Sequence, residues 1–147
     1  MQRVVALIAA AFCVLSLYAA PKSCRVISPD KSLVFELSTG DRIQYSVYKN
    51  GDLVLAPSEI ALKLGNGTVY GGKMTPKSVK TRSVDNSIDA LFYKKARLRD
   101  NFNESRFVFS SFDIVVRVYD AGAAYRFVSK SKKAFEVESE TASFNFP

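Results

Sequence analysis

The stretch Leu33-Val34-Phe35-Glu36-Leu37-Ser38-Thr39-Gly40-Asp41-Arg42-Ile43-Gln44-Tyr45-Ser46-Val47-Tyr48-Lys49-Asn50-Gly51 decides the fold. Leu33, Phe35 and Leu37 alternate with Val34, Glu36 and Ser38, and Ile43, Tyr45 and Val47 alternate with Gln44, Ser46 and Tyr48. A period of two sends successive side chains to opposite faces, so each run reads as a strand with one apolar face. Thr39-Gly40-Asp41 has the composition of a tight turn. Asn50-Gly51 suits a two-residue hairpin turn whose central positions need positive φ. The stretch predicts an antiparallel meander.

The pattern continues outward. Leu53 and Leu55 predict a short strand cut at Pro57, and Ile60, Leu62 and Leu64 another that ends at Gly65-Asn66-Gly67. Val69 to Asn86 is polar and holds Gly71, Gly72 and Pro76, which suits a long loop or weakly patterned edge strands. Further strands are expected at Leu91-Phe92-Tyr93, at Phe107 and Phe109, and at Ile114, Val116 and Val118. Asp120-Ala121-Gly122 turns the chain into Tyr125 and Phe127; Phe135 and Val137, then Phe144 and Phe146, close it. Ser143 to Pro147 reads as a strand that stops while it is being completed, which suggests the front part of something longer. No sustained helical period follows residue 20. Ten or more short strands, with eleven Phe and seven Tyr in the chain, predict an all-β antiparallel β-sandwich.

Residues 1–20 read differently. Met1-Gln2-Arg3 gives a positive start, Val4 to Ala20 is apolar apart from Ser16, and Ala19-Ala20 are small. This is the layout of a secretory signal peptide, with cleavage near Ala19 and export to the periplasm or beyond. A retained membrane anchor is the competing reading, since the segment is near the lower length for a span. The domain then runs from 21 to 147. Cys13 leaves with the signal, so Cys24 has no internal partner and the fold must rest on its core. The membrane is met only through the export signal.

Composition removes several kinds of chemistry. The chain has no His, so a Ser-His-Asp triad, a His-ligated zinc and an imidazole acid or base are all excluded. The net charge of +7 could attract an anionic polymer, but export and the lack of a recognition motif argue against nucleic acid. Glu136, Glu138 and Glu140 have a spacing that paired glycosidase carboxylates could use, yet alternation with apolar residues is what any half-exposed strand shows. Asp113 and Glu36 have the same simple reading. Asn103 and Glu104 form a polar pair that could cap the next turn or hold sugar hydroxyls. Asp120 and Arg126 could meet across their hairpin as an ion pair; the alternative presents Arg126 to a ligand.

At these segments the chain resembles the N-terminal domain of glycoside hydrolase family 97, exported alpha-glucosidases and alpha-galactosidases. The matching features are Ser28-Pro29-Asp30 leading to Leu33–Leu37, Ile43–Gly51, Leu53–Ser58 and Ile60–Leu64. They continue through Asn103-Glu104, Arg117–Phe127 and Glu140-Thr141 with Phe144, and so run along almost the whole mature chain. Ala121 stands where the family pattern leads one to expect a second acidic residue. The resemblance implies part of a β-super-sandwich of the galactose-mutarotase-like type, leaning on a catalytic (β/α)8 barrel. It puts the acid and base carboxylates on that barrel with most ligands of a catalytic calcium, and one further glutamate ligand beyond residue 147. No catalytic or metal residue is therefore expected in this chain, which would be inactive alone. Its expected role is non-catalytic and of carbohydrate-binding type, with Asn103, Glu104, Asp120 and Arg126 as candidate sugar-contact or structural residues. The alternative is a free-standing exported carbohydrate- or surface-binding β-sandwich module. Because the family's sandwich is longer, strands pairing with Ile114–Val118 or Tyr125–Phe127 are expected to be missing, leaving edges prone to self-association.

Overall fold

The computed structural model describes residues 22–90, 94 and 96–147. The signal peptide expected at residues 1–20 and the strand expected at Leu91-Phe92-Tyr93 lie outside the described residues. Among the described residues ten strands follow one another: β1 (Lys22–Ile27), β2 (Leu33–Thr39), β3 (Ile43–Lys49), β4 (Asp52–Leu64), β5 (Val69–Tyr70), β6 (Ser78–Asp89), β7 (Arg97–Val108), β8 (Phe112–Tyr119), β9 (Gly122–Ser129) and β10 (Val137–Ala142). They form two antiparallel sheets. One has the order β1-β2-β3-β4-β10, with β5 also on β4; the other has the order β6-β7-β8-β9. The all-β sandwich expected from the alternation is the observed architecture.

The deciding stretch folds as a meander. Phe35 faces Val47 and Leu37 faces Tyr45 across β2 and β3. Strand β2 alternates buried and half-buried residues along its whole length. Asn50 and Gly51 both take positive φ, 52° and 94°, as the hairpin turn requires. Strand β4 does not stop at Pro57. It passes through it with register shifts opposite Tyr45, Val47 and Tyr48, and these bulges absorb a residue that cannot donate to the ladder.

The two sheets close on an aromatic core. β1 lies against β7 and β8, and β2 against β8. Phe35, Leu37, Ile43 and Ile60 of one sheet meet Phe107, Ile114, Val116 and Val118 of the other, all essentially buried. Phe35 stacks on Tyr45 at 5.1 Å, and Phe112 stacks on Tyr70 at 4.4 Å and on Phe109 at 4.7 Å. Such pairs add about 0.5–1.5 kcal/mol each beyond the area they bury. Tyr70 is held inside by Gly71, whose φ is 132° and where a Cβ would lie 2.6 Å from the Ile60 carbonyl oxygen.

Of the two readings of the polar middle segment the edge strand is the one observed, and two other expectations are corrected. The second half of the polar middle segment belongs to the twelve-residue edge strand β6, paired along its full length with β7. Its exposure on both faces explains why no alternation marked it. Ser143–Pro147 is not a strand; Asn145 makes one isolated bridge to Ala56. Its side-chain nitrogen donates to the Pro57 carbonyl at 2.7 Å, so the segment clamps the β4 bulge. Finally, Ile114–Val118 lacks no neighbour, because β8 is paired on both sides by β7 and β9. Only β9 presents an open edge there.

Candidate functional site

The pleat separates Asn103 from Glu104. Neighbours on a strand point to opposite faces, so the adjacent amide and carboxylate cannot serve one site. Both also lie within β7 rather than before a strand, so neither caps a turn. Asn103 points inward, where Nδ2 donates to the Ile27 carbonyl at 2.7 Å and Oδ1 accepts from Ser83 Oγ at 2.6 Å. It ties β7 to the end of β1.

Asp120 performs a similar task at the same end of the sandwich. Its Oδ1 accepts the Asp30 backbone N–H at 2.9 Å, and its carbonyl accepts Lys49 Nζ at 2.9 Å. Asp30 in turn gathers Ser28 Oγ at 2.6 Å and the Ser32 N–H at 2.9 Å. The Ser28 hydroxyl, followed by the Ser32 donors, holds the Asp30 carboxyl well below the ordinary carboxylate range. The β8–β9 turn is thus fastened to the β1–β2 turn. Asp120 forms no ion pair with Arg126 among the described residues: Arg126 stands opposite Val115, well up the hairpin from the turn. That expectation is corrected by register.

Glu104 sits on the outer face of the second sheet, in one cross-strand row with Arg82 and Arg117. It accepts Arg82 Nε and Nη2 at 2.7 and 3.0 Å, and Arg117 Nε at 2.7 Å. Hydrogen bonds from Arg82, and then from Arg117, outweigh burial and hold its carboxyl down at about 2. The Arg117 guanidinium lies 4.4 Å over the Phe102 ring, and Tyr119 leans on the same ring at 5.1 Å. Phe102 is therefore buried on an outward-facing position.

A second network lies on the same face. Asp113 accepts Arg106 Nη1 at 3.0 Å, and Lys130 Nζ lies 2.8 Å from its other oxygen without an aligned hydrogen bond. Burial raises this carboxyl, and the two cations more than reverse it, so it stays below the ordinary range. Beside these networks a shallow groove of about 240 Å³ is lined by Val115, Arg117, Tyr119, Ala124, Tyr125 and Arg126. Arg126 is exposed and has no ion-pair or hydrogen-bond partner among the described residues.

Of the four residues singled out from sequence, Asn103 and Asp120 fasten the two sheets together, Glu104 anchors a charge network, and Arg126 stands in the groove. Sequence reasoning missed Arg82, Arg117 and Phe102, which meet only because the β6-β7-β8 register aligns them. Glu138, named for its spacing, makes an exposed ion pair with Lys63 at 2.6 Å. Among the described residues, no three His, Cys, Asp or Glu side chains converge as a metal site would need. The two most buried carboxylates are already met by arginine and lysine.

Comparisons with known proteins agree with this architecture. The model of the glycosyl-hydrolase 97 N-terminal family matches residues 26–147. A retaining alpha-galactosidase of Bacteroides thetaiotaomicron is 36% identical over 148 residues, which cover all of this chain and 22% of that protein. This chain therefore spans about a fifth of that relative's length. Among solved structures, a glycoside hydrolase family 97 enzyme of Pseudoalteromonas sp. strain K8 in complex with panose superposes with a TM-score of 0.75 at 17% identity, over 82% of this chain and 20% of that one. A beta-arabinopyranosidase superposes with a TM-score of 0.78 at 21% identity, over 84% and 21% of the two chains. These likenesses show the fold. With the family model spanning nearly all of the described strands, the chain belongs to the glycoside hydrolase family 97 N-terminal domain family.

Proposed function

We propose that this domain is the non-catalytic, carbohydrate-binding-type N-terminal part of an exported family 97 glycoside hydrolase acting on alpha-galactosides or alpha-glucosides. Its role is to support a catalytic (β/α)8 barrel and to help wall the sugar site. The observation that carries the reading is the 36% identity to the retaining alpha-galactosidase along the whole of this chain, which makes up 22% of that protein. The chemistry of the side chains agrees. Glu104 and Asp113 are met by cations, Asp30 and Asp120 are spent on turns, and the Glu104, Asp113 and Asp30 carboxyls are held below the ordinary range, away from that of a general acid. The acid, the base and the calcium ligands belong, in this reading, to the barrel.

The side chains left for a sugar are few. Asn103, Glu104 and Asp120 are engaged within the sandwich, which leaves Arg126 as the candidate contact. Export through residues 1–20 delivers the protein to the periplasm or beyond. The test is hydrolysis of nitrophenyl alpha-galactoside and alpha-glucoside by the purified chain, for which no turnover is expected. Turnover that is lost in Glu138→Gln would overturn the reading and put the chemistry on β10.

A further inference from the structure

We infer that the chain docks head to tail on a second copy of itself, the segment around Phe144 and Phe146 of one copy filling the cleft between β1 and β6 of the next. The cleft follows from the offset of the two sheets. β1 lies against β7 and β8, so β6 projects past it, exposed on both faces. Val79 of β6 stands opposite Phe107 and so belongs to the inner face, yet it is 39% exposed. A cavity of about 330 Å³ opens there, walled by Cys24, Leu37, Pro76, Val79 and Phe107. Beside it β1 is an open edge. The Ser28 N–H donates to the Leu33 carbonyl at 2.8 Å, which sets the phase of the β1–β2 ladder. Cys24 and Val26 therefore turn their backbone groups to β2, and Ser23, Arg25 and Ile27 turn theirs to the open side. The Ile27 carbonyl already accepts Asn103 Nδ2 at 2.7 Å, which leaves Ser23 and Arg25 for an incoming strand.

The opposite edge of the first sheet supplies the occupant. Phe144 and Phe146 are 60% and 74% exposed, and they flank Asn145, which bridges to Ala56 of β4. Asn145 Nδ2 on the Pro57 carbonyl holds the segment in place, so docking has little left to order. Laid along β1 of the next copy, it continues that copy's first sheet. A residue opposite Cys24 then shares its face and points over Val79 and Phe107, where an aromatic ring meets an apolar wall. Neither residues 143–147 nor the cavity wall carries a charged side chain, so no ion is desolvated. Arg25 is held on Glu36 at 2.8 Å, on the other face of β1. The charges around the two surfaces are opposite in sign: Glu138 and Glu140 lead into the donor segment, while Lys77 and Lys80 flank Val79. The contact joins two different surfaces, so each docked copy keeps a free donor or a free cleft and assembly continues past a dimer.

The test is sedimentation of the purified chain under reducing conditions, with pulse labelling of the Cys24 thiol read on its own peptide by mass spectrometry. As concentration rises, species larger than a dimer should appear, and Cys24 labelling should fall in proportion to the fraction assembled. Two variants isolate the two surfaces. Phe144→Ser with Phe146→Ser removes the donor, and Val79→Lys puts a charge in the cleft; both change exposed positions and should keep the wild-type thermal midpoint. Each alone should stay monomeric. Mixed in equal amounts they should give a dimer and nothing larger, because the intact donor of one meets the intact cleft of the other. Cys24 should then be protected only in the copy that keeps its cleft. A mixture without dimers would overturn the proposal. So would a wild-type chain that stays monomeric throughout, or one that assembles while Cys24 remains fully reactive.

Discussion

Glu104 shows how one residue's electrostatics are set by partners distant in the chain. A carboxyl held at about 2 in the folded state and near 4.3 when unfolded releases protons on folding. Its folded value is depressed, so its stabilisation is present in full above about pH 4.3 and fades as pH falls toward 2. Because Arg82 is largely exposed, solvent screening lowers the net contribution, to about 2 kcal/mol. Glu104→Gln should therefore lower unfolding stability by about that amount at pH 7, by leaving two arginines without the negative charge they share. The gap between the two proteins should close toward pH 2, where the native carboxyl is itself protonated. Urea unfolding at pH 7, 4 and 2.5 measures this, and a difference independent of pH would refute the ionic account. The sequence marked Glu104 as notable but attached it to the wrong neighbour, Asn103, because adjacency in a strand is separation in space.

At the scale of elements, the sheets are fastened at one end by the turn contacts of Asp120 and Asn103. Asp120 joins the β8–β9 turn to the β1–β2 turn through an oxygen acceptor, and that contact needs no negative charge. Asp120→Asn should consequently be near neutral, whereas Asp120→Ala should cost about 1 kcal/mol. It should also speed hydrogen exchange at Asp30 and Ser32 before it affects the core strands. Equal losses in the two variants would show that charge, not hydrogen bonding, carries the link. The elements also differ in how visible they were. Strands β2 and β3 were legible because one face is buried and the other is not. Strand β6 was only weakly marked because it is exposed on both faces, whereas β8 was read from Ile114, Val116 and Val118 even though Asp113 and Val115 are buried on its outward face as well.

For the whole molecule, the edges of the two sheets decide its behaviour in solution. β1 carries Arg25, β6 carries Lys80, Arg82 and Asp85, and β10 carries Glu138 and Glu140, all charges of the kind that discourage strand addition. β9 has only Arg126 among Gly122–Ser129, and its half-buried Tyr125 and Phe127 face the inter-sheet space. Phe144 and Phe146 are 60% and 74% exposed, adding apolar surface near the first sheet's β10 edge. Burying one such side chain is worth roughly 1.5–3 kcal/mol, so association through these surfaces is favourable. Residues 21–147 should self-associate with rising concentration, and Ala123→Lys, a charge on the exposed inward side of β9, should shift the balance toward monomer. Sedimentation across a concentration series reads this. A wild-type chain that stays monomeric throughout would show that β9 is protected.

The sequence by itself determined that this chain is an antiparallel β-sandwich, that the Asn50-Gly51 hairpin turns where it does, and which family it resembles. These follow from local chemistry: a period of two, residues that accept positive φ, and aromatic side chains that need a covered face. The resemblance also carried the expectation that the chain holds no catalytic residues. Tertiary structure alone decided what the named polar residues do. Cross-strand register brought Arg82 and Arg117 to Glu104, kept Arg126 away from Asp120, and carried Asn103 to Ile27. Register is a relation between distant segments, set by how two sheets share one core, and no local pattern encodes it. The bulge at Pro57 and the clamp by Asn145 are of the same kind. Each is a local irregularity made tolerable by a partner far along the chain.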